Sequence, residues 1–468
     1  MTTVTPPRAS RRLDAPAPLG RRARADAVVR QASGSLLWLG LLLVTYWWAA
    51  GGGIQDLGAW ASGLTSVGRL TGLVASVLLL AQVALMARVP RLESAFGQDR
   101  LAHLHRIVGF TSFNLMLAHV VTITWGYAGG QLPGTPGTLW NLTVNYPGML
   151  LAVAGTACLV MVVVTSLRAA RRRLRYESWH LLHLYAYLGV GLALPHQLWT
   201  GHELTSSTAR TVFWWAAWGA VAGAVLIWRV GVPLAVNLRH QLRVTSVVPE
   251  GHGIVSVYLT GRRLDLLRAE AGQFFTWRFL GRSGWSRANP YSLSAAPDGR
   301  SLRITIQAVG DGSAEALRLH PGTRVLVEGP YGRLSARSRS RGKVALIGAG
   351  VGVTPLRALA EGLDYAPGDA VLLQRYGDDR LFARELDVLT HERGLRVVPL
   401  PGHRRGRDSW LGEVGHGSDL DHLHRWVPDI AERDVYVCGP TPWADLVVED
   451  LTSAGVTPDH IHLETFAW

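Results

Sequence analysis

Two apolar stretches decide how this chain is organised, RLAHLHRIVGFTSFNLMLAHVVTITW (100–125) and YESWHLLHLYAYLGVGLALPHQLW (176–199). Each is long and apolar enough to cross a bilayer, which takes about 20 residues. Each also carries a pair of histidines. The pairs are His105 with His119, and His183 with His196. A histidine inside a membrane span is costly and is therefore a candidate functional residue.

The spacing within the first pair favours two ligands on one helix face. Fourteen residues of helix rise about 21 Å, and the side chains of His105 and His119 fall within about 40° of each other. Neutral imidazole is a common axial ligand of haem iron. Two helices that carry such pairs predict two stacked haems, one held by His105 and His183 and the other by His119 and His196.

The second pair leaves an alternative open. Thirteen residues separate His183 from His196, which on an ideal helix turns the two side chains about 140° apart. Pro195 can distort the helix and re-aim His196. His180 lies about 160° round from His196, so spacing favours His183 over His180 only weakly. For all four ligand candidates, the alternative interpretation is a hydrogen-bonded core histidine.

Composition excludes several classes of protein. The net charge of +13 comes almost entirely from arginine, since Lys343 is the only lysine. The arginines cluster at the ends of apolar spans, which is typical of topology signals and not of a nucleic-acid-binding face, so we expect no nucleic-acid partner. Cys158 and Cys438 are the only cysteines. Two cysteines exclude a disulfide framework, a four-cysteine zinc site and a cysteine-held iron–sulfur cluster.

Six charge-poor runs predict a six-helix transmembrane bundle over residues 34–232, after a disordered basic cytoplasmic tail over residues 1–33. The runs cover about 35–50, 70–87, 107–127, 147–167, 179–200 and 211–228. Arginine is abundant in the tail and in the second and fourth loops. The positive-inside rule therefore predicts a plasma (inner) membrane protein with both termini in the cytoplasm. The first histidine of each pair then lies toward the cytoplasm, and the second toward the outer face.

From about residue 238 the pattern changes to short alternating runs such as QLRVTSVVP, GIVSVYLTG and SLRITIQAVG. Such strands predict a small antiparallel β-barrel over 238–336. After the linker SARSRSRG, the segment KVALIGAGVGVTPLRALAEGL predicts a strand, a Gly-rich turn and a helix, and VLLQRY and DVYVCGP predict further strands. That order is typical of an α/β, Rossmann-like domain, here over 341–468.

Three motifs are candidates for binding a dinucleotide. GAGVGVTP (348–355) brings glycine backbone to a helix N-terminus, where a pyrophosphate can bind, although its GxGxG spacing also suits an ordinary tight turn. NPYSLS (289–294) places an aromatic ring and a hydroxyl at a strand end, and GDGS (310–313) caps a short helix that can take phosphate. The candidate binding residues are Asn289, Pro290, Tyr291, Ser292, Gly312, Ser313, Gly348, Gly350, Gly352, Thr354 and Pro355.

Together, residues 35–468 resemble the ferric reductase/NADPH oxidase family. Its members are membrane flavocytochromes with two b-type haems, an FAD-binding barrel and a C-terminal NAD(P)H domain. The two histidine pairs match the haem-ligand pairs of that family, including the thirteen-residue interval, which favours His183 over His180. NPYSLS resembles its flavin motif, and GAGVGVTP resembles its pyridine-nucleotide loop.

The resemblance also implies roles for single residues. Tyr291 and Ser292 would contact the isoalloxazine, and Cys438 would lie beside the nicotinamide. Phe466 would cover the flavin, and Trp468 extends far enough to share that role. These four residues, without Trp468, are the predicted catalytic residues. Asn289, Gly439 and Pro440 would also contact the cofactors, and family members often carry Arg or His where Asn289 stands.

Arg375 is a candidate for selecting the nucleotide. It stands near the end of VLLQRY, where the second strand of a nucleotide domain meets the adenosine ribose. A guanidinium there can hold a 2′-phosphate, so we expect NADPH, with NADH as the alternative. The other interpretation of Arg375 is a solvated charge at a strand end.

The resemblance implies an NAD(P)H-dependent ferric reductase or NADPH oxidase-like flavocytochrome b in a lipid membrane. Electrons would pass from cytoplasmic NAD(P)H through FAD and two haems b to a small-molecule acceptor outside, either a ferric chelate or dioxygen. Ile123 stands where oxidase members often carry a polar residue, which favours an acceptor other than oxygen. The alternatives are an electron donor to a periplasmic partner protein or quinone, and a haem-binding membrane sensor.

Overall fold

The computed structural model describes residues 21–174, 176–199, 201–281, 287–412 and 417–466. Contacts divide the chain into two compact units, Val28–Gly231 and a second that contains Val232–Trp468. Of the predicted disordered tail, residues 1–20 lie outside the described residues, and so does Trp468. The prediction is wrong for residues 21–33, which are helical because alanine and arginine are good helix formers.

The N-terminal half of the chain is helical. Its α-helices are α1 (Arg21–Trp48), α2 (Trp60–Leu85), α3 (Pro90–Phe96), α4 (Gln98–Tyr127), α5 (Thr135–Asn145), α6 (Met149–Ser166), α7 (Arg168–Arg171), α8 (Tyr176–Trp199), α9 (His202–Thr205) and α10 (Thr208–Ala224). A π-helical segment, Val225–Gly231, continues α10.

Five helical segments of the described chain are long and apolar enough to cross a membrane. They are Arg24–Gly53, Trp60–Leu85, Gln98–Tyr127, Met149–Ser166 and Thr208–His240. The predicted span at 179–200 falls on α8, which carries three histidines and is not among these five segments. Each predicted run therefore falls on a helix. That all six helices cross the membrane as one bundle stays a prediction.

The segment 128–146, which joins two of the charge-poor runs and is rich in glycine and proline, is partly helical. The structure places α5 there with Pro136 in the first helical turn. Proline suits that position because its fixed φ matches the helix and its missing N–H has no partner to lose.

Glycines let the histidine-bearing helices pack closely on their neighbours, α4 on α2 and α8 on α6. A Cβ on Gly155 of α6 would lie 2.7 Å from the carbonyl oxygen of Gly189 in α8. A Cβ on Gly72 of α2 would lie 2.6 Å from Nδ1 of His119 in α4. Small residues allow helix backbones to approach in this way. As a result, the backbone carbonyls of α2 come within reach of the side chains of α4.

The second unit begins with α11 (Val232–His240) and six antiparallel strands. They are β1 (Arg243–Gly251), β2 (Ile254–Thr260), β3 (Phe274–Phe279), β4 (Asn289–Ser292), β5 (Ser301–Gln307) and β6 (Val325–Tyr331), with α12 (Asp311–Ala314) after β5. They form two three-stranded sheets, in the orders β1-β2-β5 and β4-β3-β6. Isolated bridges between Leu293 and Ile304 and between Arg243 and Arg324 join the two sheets at both edges.

A five-stranded parallel sheet follows, in the order β11-β10-β7-β8-β9. Its strands are β7 (Val344–Ala349), β8 (Ala370–Arg375), β9 (Arg396–Leu400), β10 (Asp434–Pro440) and β11 (Ile461–Phe466). Its helices are α13 (Val353–Gly362), α14 (Ala383–Arg393), α15 (Asp419–Trp426) and α16 (Thr441–Ser453). Apolar clusters cover both faces of the sheet, which is why β7 and β8 are continuous apolar runs. The predicted strands VLLQRY and DVYVCGP are β8 and β10.

Candidate functional site

The four predicted ligand histidines lie on α4 and α8, and the structure brings one residue from each helix together. The imidazole rings of His105 and His183 have their centroids 6.0 Å apart, with an interplanar angle of 68°. A metal atom bonded to two imidazole nitrogens at about 2 Å each would separate the ring centres by about 6 Å. The pair therefore has the spacing of two axial ligands on one iron atom.

In each of the four histidines, Nδ1 lies within hydrogen-bond distance of an oxygen. The oxygens are the carbonyl of Gln82 for His105 (3.1 Å), the carbonyl of Gly68 for His119 (2.7 Å), the hydroxyl of Ser166 for His183 (3.3 Å) and the carbonyl of Ala193 for His196 (2.5 Å). A carbonyl oxygen only accepts, so Nδ1 of three of these neutral rings carries the proton and Nε2 keeps the lone pair that a metal needs. Hydrogen bonds of this kind orient metal-binding histidines.

The residues around these rings fit haem iron, which needs only two axial protein ligands. Within the described part of the chain, no group of three or more His, Cys, Asp and Glu side chains gathers to hold a metal ion by itself. Trp179 packs beside His183 with ring centroids 5.0 Å apart and donates from Nε1 to the hydroxyl of Ser166 at 3.3 Å. The choice of His183 over His180 stays a prediction, supported by the contact with His105.

The predicted flavin motif lines a cleft of about 300 Å³, counting the space open to solvent. Its walls are Pro290, Tyr291 and Ser292 from β4, Thr305, Ile306 and Gln307 from β5, Val351 from the Gly-rich turn and Thr354 from the start of α13. In the described chain, the hydroxyls of Ser292 and Thr354 are buried without a hydrogen-bond partner. Buried polar atoms are normally paired. These two hydroxyls therefore fit a cofactor that brings polar atoms into the cleft, as FAD and a nicotinamide nucleotide would.

The predicted nucleotide loop is a strand, a turn and a helix, as expected. β7 ends at Ala349, a 3₁₀ turn covers Gly350–Gly352, and α13 follows. Gly350 has φ = +55°, which favours glycine. A Cβ on Gly352 would collide with the carbonyl of Cys438, so glycine at this position lets the loop lie directly against the CGP turn.

Parallel pairing brings the remaining nicotinamide-site candidates to the same edge of the sheet. Gly348 of β7 is opposite Cys438 of β10, and Pro440 of β10 is opposite Phe466 of β11. Cys438 is fully buried, and its burial together with the charge of Glu464 raises the pKa of its thiol. The thiol therefore stays protonated at neutral pH. The sheet thus places the Gly-rich loop, the CGP turn and the last strand side by side.

The structure gives less support to two predicted contacts, the phosphate contact of Gly312 and Ser313 and the nucleotide contact of Arg375. The hydroxyl of Ser313 accepts from the backbone N–H groups of Val309 (2.9 Å) and Gly310 (3.1 Å), so it caps its own turn. A phosphate contact from Gly312 and Ser313 stays a prediction.

Arg375 ends β8 and donates from Nη2 to the carbonyl of Gly402 at 3.4 Å. Burial lowers the pKa of Arg375, and the charge of Arg404 lowers it further.

The sequence identified Thr354 of the nucleotide loop, but not Val351 or the cleft residues contributed by β5. Thr305 and Gln307 alternate along β5 with Ile306, and all three line the cleft. The alternation in SLRITIQ predicts that Thr305 and Gln307 share a face, but not that this face meets NPYSLS. That meeting depends on the bridge between Leu293 and Ile304.

Comparison with known proteins finds a family match in the N-terminal half of the chain and similarity to reductases over about half of its length. Residues 71–194 match the family described as ferric reductase like transmembrane component. The chain is 29% identical over 242 residues to the glycine betaine monooxygenase reductase subunit of Chromohalobacter salexigens, a match that covers 49% of this chain and 65% of that protein. It is 30% identical over 239 residues to the ferredoxin reductase component of the 3-ketosteroid-9-alpha-monooxygenase of Mycolicibacterium smegmatis, covering 48% of this chain and 65% of that protein.

Among solved structures, the chain is similar to the flavohem-like FAD/NAD-binding domain of nitric oxide dioxygenase from Vibrio cholerae. The identity is 25%, the TM-score is 0.40, and the match covers 49% of this chain and 99% of that domain. The chain spans 65% of the length of each of the two reductases above, which is less than two thirds. The chain thus joins a segment that matches a ferric-reductase-like transmembrane component to a part that is similar to ferredoxin-reductase-type components.

Proposed function

We propose that the protein is a transmembrane oxidoreductase that passes electrons from cytoplasmic NAD(P)H to an acceptor on the far side of the membrane, using FAD and two b-type haems. A ferric chelate or dioxygen is the acceptor that this proposal favours. The observation that carries it is the 6.0 Å separation of the His105 and His183 rings. Two imidazoles from different helices at that separation suit one bis-histidine iron atom.

The residues of the membrane unit would hold and orient the haems. His105 and His183 would ligate one iron atom through Nε2, because Nδ1 of each faces the oxygen of a neighbouring helix, α2 or α6. His119 and His196 would ligate the other. Each carbonyl that accepts from Nδ1 increases the basicity of the imidazole and holds the ring in one orientation. The protein would thereby set the order in which the two sites take up electrons.

The residues of the second unit would bind and orient the flavin and the nucleotide. Tyr291 would lie against the flavin, and the hydroxyls of Ser292 and Thr354 would find their hydrogen-bond partners on the two cofactors. The backbone of the Gly-rich loop would hold the pyrophosphate of NAD(P)H at the start of α13. When bound, FAD supplies the chemistry that converts a two-electron hydride donor into a one-electron donor for haem. Binding, alignment and exclusion of water are what the chain itself contributes.

Oriented, sealed vesicles test the direction of transfer. Inside-out vesicles should oxidise added NADPH and reduce an impermeant acceptor trapped in the lumen. Right-side-out vesicles should ignore external NADPH, because the arginine distribution predicts that the second unit is cytoplasmic. Reduction of the impermeant acceptor only on the side of NADPH addition would contradict the proposal, since the haems would then not connect the two faces.

A second experiment separates the candidate acceptors. The protein is reduced anaerobically with NADPH and mixed in a stopped-flow instrument with oxygen, with ferric citrate or with a soluble quinone. Ferric citrate should oxidise the haems faster than oxygen, because Ile123 stands where oxidases often carry a polar residue. Fast oxidation by the quinone alone would favour the alternative of an electron donor to a quinone. A protein that is loaded with FAD but oxidises no NAD(P)H would support a haem-binding sensor instead.

A further inference from the structure

A charged cluster connects β5, which lines the cleft, to α13, the helix after the nucleotide loop, and to α14. Its members are Arg303 on β5, Arg357 and Glu361 on α13, and Glu385 on α14, and we call it the interdomain clamp. Two arginines and two glutamates balance each other in charge. Arg303 and Arg357 are only 5% and 7% exposed, which is rare for charged residues unless they are paired.

Arg303 is the centre of the clamp. Its guanidinium binds both carboxylate oxygens of Glu385, with Nη1 at 2.7 Å and Nη2 at 2.9 Å. It also donates to the hydroxyl of Ser294 at 3.0 Å and to the carbonyl of Ser294 at 2.7 Å. Such bidentate, charge-assisted contacts restrict orientation as well as distance. One side chain of β5 thus joins the end of the NPYSLS segment to α14.

Arg357 and Glu361 add contacts from α13 to the same segment. Arg357 donates to the carbonyl of Ser294 at 3.2 Å and pairs with Glu385 at 2.6 Å and with Glu361 at 2.5 Å. Glu361 accepts from the backbone N–H of Ala296 at 2.7 Å. The helix α13 is therefore bonded directly to the short stretch that follows Ser292, and α14 is linked to that stretch through Arg303.

The position of the clamp matters because rigid elements lead from it to the reacting groups. Ser294 is two residues beyond Ser292, the last residue of β4. Arg357 is three residues from Thr354, about 4.5 Å along a helix. Ser292 and Thr354 both line the cleft. The clamp thus fixes the flavin wall of the cleft relative to its nucleotide wall.

We propose that the ion pair of Arg303 with Glu385 is a positioning device that sets the distance between the nicotinamide and the flavin for hydride transfer. This inference rests on the proposed function. Hydride transfer needs the reacting atoms about 3–3.5 Å apart, and a misplacement of 1 Å can cost about a hundredfold in rate. Neither residue touches the cofactors in this role, so the effect appears in the alignment of the nicotinamide and not in its affinity.

The test uses full-length protein in detergent with FAD added, and the variants Arg303→Gln and Glu385→Gln. Anaerobic stopped-flow reduction by NADPH should show a limiting rate of flavin reduction at least tenfold lower in both variants, with the dissociation constant of NADPH changed less than threefold. The long-wavelength charge-transfer absorbance of the complex of flavin and nicotinamide should also weaken, because it requires close stacking. Glu385→Gln leaves the bonds from Arg303 to Ser294 in place, so this variant still tests the proposal if Arg303→Gln does not fold.

Arg433 provides a matched control. It is 6% exposed, binds both carboxylate oxygens of Asp429 at 2.7 and 3.0 Å and donates to the carbonyls of Val344 and Asp369, all within the nucleotide domain. Arg433→Gln should lower the free energy of unfolding but leave the limiting rate of flavin reduction and the charge-transfer band unchanged. Equal slowing in Arg433→Gln and Arg303→Gln would overturn the inference, and so would an unchanged rate in Arg303→Gln.

Hydrogen exchange distinguishes failure of the clamp from failure of the proposed function. If wild-type protein is not reduced by NADPH or NADH, the proposed function fails, but exchange still tests the clamp without electron transfer. Amides of residues 289–296 should exchange at least tenfold faster in Arg303→Gln and Glu385→Gln than in wild type, and not in Arg433→Gln. Unchanged exchange in this segment would overturn the clamp on its own.

Discussion

The rings of His105 and His183 lie 6.0 Å apart although they belong to different helices. Neither ring is oriented by its own helix. The oxygen that faces Nδ1 of His105 belongs to Gln82 of α2, and the oxygen that faces Nδ1 of His183 belongs to Ser166 of α6. Four helices therefore determine the geometry of this pair, two that carry the imidazoles and two that orient them.

Removing either imidazole should remove one haem. We expect His105→Ala and His183→Ala to lower the haem content from two to about one per chain in a pyridine haemochrome assay, because an axial ligand is lost. His103→Ala is the control, since His103 is exposed two residues before His105. Full haem content in His183→Ala together with loss in His180→Ala would transfer the ligand role to His180.

A methyl group on α2 should disturb the other haem. The Cβ of Gly72→Ala would lie 2.6 Å from Nδ1 of His119, where the bond to the carbonyl of Gly68 is made. The ring must then move, and we expect the haem of His119 and His196 to be lost or to change its low-spin electron paramagnetic resonance signal. Gly191→Ala on α8 is the control, because nothing lies within 4 Å of its added Cβ. Identical signals in Gly72→Ala and wild type would show that His119 is not a ligand in this orientation.

Local patterns were enough to predict much of this fold. GAGVGVTP is followed by an apolar helix and preceded by an apolar strand, and the structure has that strand, turn and helix at Val344–Gly362. The six charge-poor runs all fall on helices, because a long apolar run has few other ways to satisfy its backbone. The histidine pairs were likewise recognisable, since a polar residue in such a run is rare.

Contacts between distant segments could not be predicted from the sequence. Arg303 and Glu385 are 82 residues apart, and nothing local in SLRITIQ or FARELD distinguishes this pair from solvated charges. The oxygens that face the histidines are three backbone carbonyls and one hydroxyl, and every residue carries a carbonyl. Which of them meets an imidazole depends on helix packing. Local patterns can also be ambiguous. Pro136 is an example, because proline is common both in turns and in the first turn of a helix.

Asp434 should make stability depend on pH in the acid range. It is fully buried at the start of β10 and accepts from the backbone N–H groups of Ser340 and Arg341 at 2.6 Å each, and it lies 3.0 Å from His460 and 3.2 Å from His462. Burial alone would raise the pKa of Asp434, but these hydrogen bonds and the charge of His462 hold it at about 2. A lowered pKa means that the carboxylate stabilises the fold at pH values above its unfolded value, about 3.9.

That contribution should be lost as the pH falls from about 4 through about 2. Asp434→Asn should remove this part of the pH dependence and destabilise the protein by about 3–5 kcal/mol at pH 7, as expected when one member of a buried charged network is removed. Urea unfolding followed by tryptophan fluorescence measures both effects. Asp459→Asn, at an exposed position nearby, should leave stability unchanged. A parallel pH profile in Asp434→Asn and wild type would contradict this assignment.

Arg375 should determine the preference for NADPH. It lies at the carboxyl end of β8, and Nε of its guanidinium is buried without a hydrogen-bond partner in the described chain. Burial and the charge of Arg404 both lower its pKa, so an anion bound to the guanidinium would stabilise its charged form. The 2′-phosphate is the only group that distinguishes NADPH from NADH, and it is such an anion.

We therefore expect Arg375→Ala to raise KM for NADPH by about 10- to 100-fold, the effect of losing a charge-assisted hydrogen bond of about 1.5–3 kcal/mol. KM for NADH should change less than twofold, because NADH has no group for Arg375 to bind. Arg384→Ala removes the same charge from an exposed position of α14 and should leave both values unchanged. Steady-state reduction of ferric citrate with each nucleotide measures the two constants. An equal rise in both values for Arg375→Ala would mean that Arg375 supports the fold of the β8 end and does not select the nucleotide.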